Sequence, residues 1–194
     1  TKAGSYFELA SRRLGAGPAA TAPAIASIEG DTNSSGSGAS VNANGGDVVV
    51  ESANASESKV TAGASVKPAS ATEPAAVGVG ASVGMNVAVN TTAAEVGNAA
   101  VVSNANNLDL TAKSDHALTN TVTGGASGAD ISVTPVAAIT VAVNTTTARL
   151  GTGTQLDLLG AYTSSAEQTS SSTVTATGQT QGNNVAVGAS IALN

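Results

Sequence analysis

The sequence predicts an all-β chain wound as a parallel β-solenoid, on three observations: long stretches alternate apolar and small polar residues with period two, one phrase returns at a fixed interval, and bulky core-forming side chains are scarce. The phrase is Val77-Gly-Val-Gly-Ala-Ser-Val-Gly-Met-Asn86, which aligns with residues 131–140 and again with 185–194, each copy 54 residues after the last. The first match runs on through Val87-Ala-Val-Asn-Thr-Thr92 and Val141-Ala-Val-Asn-Thr-Thr146. An interval of this size is characteristic of solenoids and arrays, in which each unit buries its apolar side only by stacking on its neighbours. The scarcity is plain in the composition: one Phe, one Met, no Trp, and 22 glycines in 194 residues. Such side chains fill a narrow interior better than a broad globular core.

Within the first copy Val77, Val79, Ala81, Val83, Met85, Val87 and Val89 share one parity, and Gly78, Gly80, Ser82, Gly84, Asn86 and Asn90 the other. Helical spacing would mix the two sets, so the segment reads as strand, with the aliphatic column expected to point inward. Ile131, Val133, Pro135, Ala137, Ile139, Val141 and Val143 continue that column in the second copy. Thirteen extended residues span ~43 Å, beyond an ordinary strand, so a bend is expected, with Gly78, Gly80, Gly84 and Pro135 as the natural positions.

The remaining elements follow in chain order. Residues 1–30 diverge from the rest. Tyr6, Leu9, Ala10 and Arg13 have helix-compatible spacing there, and the segment stands as a candidate cap over an end coil. Residues 31–194 form the repeat region, with further strands expected at 47–51, 107–112, 118–123 and 173–177. The runs 32–40 and 164–172 read as polar turns or exposed loops. A second motif, Asn42-Ala-Asn-Gly-Gly-Asp47, matches Asn104-Ala-Asn-Asn-Leu-Asp109, with Leu156-Asp-Leu158 as a third version. Its uneven spacing reads as loops of variable length on a stacked scaffold. The pattern is still running at 185–194, so the chain reads as an excerpt of a longer array.

The phrases "NANGGDVVVESANASESKVTAGAS", "VGVGASVGMNVAVNTTAAEVGNAAV" and "NANNLDLTAKS" resemble the repeat cassette of giant secreted bacterial surface proteins of the filamentous-haemagglutinin and leukotoxin type, over roughly residues 40 to 194. The resemblance implies a parallel β-solenoid exported to the bacterial cell surface or the extracellular medium. It also implies an adhesive or structural role, with self-association into filaments or a host-cell or matrix ligand as the partners. The family has no active site to carry over.

Composition limits the chemistry. Thirteen acidic residues against seven basic ones give a formal charge of −6, and no basic run is present, so nucleic acid is not an expected partner. Cysteine is absent, which removes disulfides and thiol chemistry. No stretch approaches the ~20 apolar residues of a helical membrane span, and the aromatic girdles of an outer-membrane barrel are missing. No catalytic, cofactor-binding or metal-binding residue is assigned. Ser114, Asp115 and His116 are adjacent, but neighbours on a strand face opposite ways and do not converge as a triad, so His116 reads as part of an exposed polar turn. Gly45-Gly-Asp47 and the segment from Gly151 to Asp157 match a calcium-binding repeat only in part and read as turns. A carbohydrate-active enzyme on a β-helix is one alternative; its acids are scattered at Glu51, Glu57, Glu73, Glu95, Asp109, Asp115, Asp130, Asp157 and Glu167, and Tyr162 is the one aromatic of the repeat region. An ice- or surface-binding solenoid is another, resting on alternate threonines such as Thr119, Thr121, Thr173 and Thr175, although threonine suits strands in general.

Overall fold

Side chains that alternate with period two leave the backbone N–H and C=O groups to be paired sideways, and the described chain does this almost throughout in parallel ladders. The computed structural model describes residues 7–16, 21–28, 39–66 and 77–194, and no helix occurs among them. The strands are β1 (Phe7–Ala16), β2 (Thr21–Ile28), β3 (Ser40–Asn42), β4 (Val48–Val66), β5 (Val77–Val79), β6 (Ser82–Val96), β7 (Val101–Ala105), β8 (Leu108–Leu150), β9 (Gln155–Leu158) and β10 (Tyr162–Leu193).

Strand β8 is the spine of the molecule. Its N-terminal half pairs with β4, from Val48 against Leu108 to Val66 against Ala126. Its C-terminal half pairs with β5 and β6, from Val77 against Ile131 to Val96 against Leu150. Strand β10 follows β8 through both halves, with Tyr162 against Leu108 and Val185 against Ile131. Strands β1 and β2 add to β4 and β6, and β3, β7 and β9 form a separate short sheet. The sheets therefore curl into two long walls and one short one, and Val77, Ile131 and Val185 lie side by side across the second long wall.

Between the walls the interior tapers. At its wide end, next to the short sheet, Val48, Val50, Val96, Val102, Leu108 and Leu110 are fully buried together. Farther along, the long walls close on each other, and only Val122, Val136 and Ala138 make a second small cluster. A Cβ placed on Gly84 would lie 2.4 Å from Val122 Cγ2, and one on Gly80 would lie 2.1 Å from the Gly125 carbonyl oxygen. This gap decides the parity of the walls. Gly78, Gly80, Ser82, Gly84, Asn86 and Asn90 point inward and are buried, whereas Val77, Val79, Val83, Met85, Val87 and Val89 are exposed. The expected inward aliphatic column is thus reversed, because steric room outranks hydrophobicity where two backbones come this close.

Other expectations change as well. Phe7–Ala16 and Thr21–Ile28 are strands, so the helix-compatible spacing of the first thirty residues is overridden by parallel pairing; residues 1–6, 17–20 and 29–38 lie outside the described residues. Residues 164–172 belong to β10 rather than to a loop. Leu156 pairs with Val102 and Leu158 with Ala105 in the short sheet, while Leu108 pairs with Tyr162. Leu156-Asp-Leu158 is therefore no third copy of the Leu108 segment. Asp47 lies beside Asn107 and not beside Asp109, because Val48 pairs with Leu108. The break at Gly80 and Ala81 between β5 and β6 falls opposite Thr134 and Pro135, where proline has no N–H for the ladder.

Candidate functional site

The reversed parity turns a row of aliphatic side chains out to solvent. Val83 is 69% exposed and Met85 64%, and their neighbours Val77, Val79, Val87 and Val89 are all at least 40% exposed. Ladder pairing carries this face across β8 and β10, where Ile131, Val141, Val143, Val185, Val187 and Ile191 are exposed too. No charged residue occurs in 77–89, 131–143 or 185–193. A shallow apolar trough of about 170 Å³ crosses the face where Ala81, Pro135 and Ala189 align, with Val83 and Ile191 on its flank.

The first long wall is polar outside. Parallel register sets Thr119 against Thr173, Thr121 against both Thr61 and Thr175, and Thr123 against Thr177. Alternate threonines therefore form adjacent rows on one face. Nearer the wide end, Glu51, Asp115, Glu167 and Lys113 line an open concavity of about 520 Å³. Three acids that are distant in sequence are brought to neighbouring strands, a consequence of register that linear spacing does not reveal. Among the described residues, no group of three or more His, Cys, Asp or Glu is arranged to hold a metal ion.

His116 is 1% exposed and lies within β8 on its inward face, not in an exposed turn. Its Nδ1 is 2.7 Å from Ser56 Oγ on the adjacent strand. Burial lowers its pKa below the ordinary 6.5, and the nearby charge of Asp115 opposes that shift. Ser114 also points inward and shares a 2.7 Å hydrogen bond with Thr146 Oγ1, while Asp115 faces the outer concavity. The three residues thus stand on two faces of one strand. Further inward amides bridge the walls: the Asn120 amide donates to the Gly84 and Ile139 carbonyls, and Ser58 Oγ donates to Asn86 Oδ1 at 2.7 Å.

The partial calcium motifs hold corners. Asp47 Oδ1 accepts hydrogen bonds from the Asn107 backbone N–H and from the side-chain amides of Asn106 and Asn107, all at about 3 Å. Asn107 Oδ1 in turn accepts from the Ala161 N–H, and Asn98 Oδ1 from the Thr152 N–H. At the other partial match, Thr154 Oγ1 donates to the Gly97 and Gly151 carbonyls. These polar residues tie the corner at Asp47 to 106–107, Asn107 to Ala161, and the 97–98 segment to 151–154.

Compared with family models, curated proteins and solved structures, the chain matches none. The surface itself carries the functional argument: one uncharged aliphatic wall, one threonine-rich polar wall, and corners locked by asparagine.

Proposed function

We propose that the chain is a segment of a parallel β-solenoid serving as a stiff adhesive or structural rod of an exported bacterial surface protein. The supporting observation is the register: β5 and β6 pair with β8, and β8 with β10, at an interval of 54 residues apart from an irregularity at Gly182, as Val77 with Ile131 and Ile131 with Val185, while β4 pairs with β8 at an interval of 60. A chain that lays equivalent residues side by side grows by adding layers, and its length scales with layer number. Reach and display are the work such a rod performs, with a host-cell or matrix ligand bound along its walls, or a second rod joined end to end through an outer strand such as β10. Small-angle scattering from the full chain tests the shape, and beads coated with it test adhesion. An elongated profile together with bead retention on cells or matrix supports the reading. A compact profile, or retention no better than with bare beads, overturns it.

A second reading is favoured by the threonine rows on the first wall, which present hydroxyls and methyls in a regular two-dimensional array suited to an ordered surface such as ice. Thermal hysteresis that disappears in Thr121→Lys supports this reading; its absence in the unsubstituted chain removes it.

A further inference from the structure

We infer that the uncharged aliphatic wall is the docking surface for a second copy of this chain, the two walls packing face to face as sheet on sheet. The inference rests on the exposed wall alone and holds whether or not the chain belongs to a longer rod. A contiguous aliphatic patch of this extent lies at the upper end of what a monomer exposes, about 300–600 Å², and patches of that size are often functional. Two strands of thirteen residues and one of nine, ~4.8 Å apart with ~3.3 Å per residue, outline a face of about 550 Å², so a pair would bury about 1,100 Å², just above the ~1,000 Å² that a specific interface needs.

Relief and charge both point to an identical partner. The trough at Ala81, Pro135 and Ala189 lies two residues from the row of Val83, Ala137 and Ile191, and four from the row of Met85, Ile139 and Leu193. The face therefore carries both a groove and parallel ridges on the same strand-period spacing. Under a twofold axis the ridge of one copy enters the trough of the other, and the reciprocal contact follows by symmetry, which closes the assembly at two. The chain carries a net charge of −6, yet 77–89, 131–143 and 185–193 hold none of its charged residues, and the Glu95–Arg149 ion pair farther along the same ladder is internally neutralised, so two copies meet there without bringing like charges together.

Sedimentation of the full chain from about 1 to 100 µM tests the inference, a range suited to an interface of modest area. Expected is a monomer–dimer equilibrium. Val83→Asp should weaken it by about tenfold or more and Met85→Gln by less, while Thr175→Asp on the opposite wall leaves it unchanged. Far-UV circular dichroism checks that each variant keeps its sheet, and Met85→Gln carries the test should Val83→Asp lose it. A monomer at every concentration overturns the inference. So does a dimer indifferent to both wall substitutions, or an open series of polymers that grows with concentration, the signature of edge-to-edge stacking. Flotation of a monomeric chain with phosphatidylcholine vesicles would reassign the wall to a lipid surface.

Discussion

Adjacent residues in the second wall have opposite fates. Ser82 is 7% exposed and faces a gap with no room to spare, whereas Val83 points outward. Ser82→Asp should therefore lower the melting temperature sharply, because it buries an unpaired charge, while Val83→Asp should alter folding stability by no more than about 0.5 kcal/mol. Reading by hydrophobicity gives the opposite ranking, so thermal melts of the two variants discriminate directly. Gly84→Ala should cost about 1–3 kcal/mol, since the added methyl meets Val122 and the gap cannot widen without separating two paired walls. His116 supplies a pH effect. Its folded pKa lies below the unfolded value of 6.5, so the unfolded chain takes up the proton more readily. The stability from burying a neutral imidazole is fully present above pH 6.5 and is lost as pH falls from there through the folded pKa. Melting temperature should decline on acidification through this window, and His116→Gln should flatten the decline; an identical slope in that variant would exclude the histidine as its source.

At the scale of elements, strand identity was legible and strand registration only partly so. Strict alternation marks 77–89 and 131–143 as strands, and the 54-residue phrase matches the observed pairing of Val77 with Ile131 and of Ile131 with Val185. The corner motif was misaligned because its likeness to Leu156-Asp-Leu158 is local, while pairing depends on how many residues each corner spends before the next wall begins. Tyr162, with no resemblance to Leu108, is its true neighbour. The helix-compatible spacing of Tyr6, Leu9, Ala10 and Arg13 is overridden for a related reason: it suits a helix in isolation, but β4 and β6 offer open ladders to which the extended Phe7–Ala16 and Thr21–Ile28 add. The asparagine corners carry their own expectation. Asp47→Ala removes the acceptor of three hydrogen bonds to Asn106 and Asn107 and should destabilise the chain by about 1.5–3 kcal/mol, with Asp47→Asn recovering part of the loss.

For the whole molecule, stability should follow the pairing of the strands. Strand β8 is laddered on both sides, by β4 and β10 on one wall and by β5, β6 and β10 on the other, whereas among the described residues β10 pairs with β8 alone. Opening β8 breaks two interfaces and opening β10 breaks one. Hydrogen exchange followed by mass spectrometry should find the amides of 108–126 slowest and those of 162–180 faster; uniform protection across both would contradict layer-by-layer stacking. The outer surface was less legible than the layers. Glu51, Asp115 and Glu167 share a concavity, and threonines 119, 121 and 123 meet 173, 175 and 177, only because register brings separate stretches together.

The residue pattern alone determined that this protein is built of strands and that small side chains fill its interior, because alternation and side-chain volume are properties of the linear chain. Which face of each strand is inside was decided only by the tertiary structure. Alternation divides a strand into two sides without saying how close the opposite wall will come, and here that wall comes so near that glycine, serine and asparagine fill the gap and the valines are turned outward.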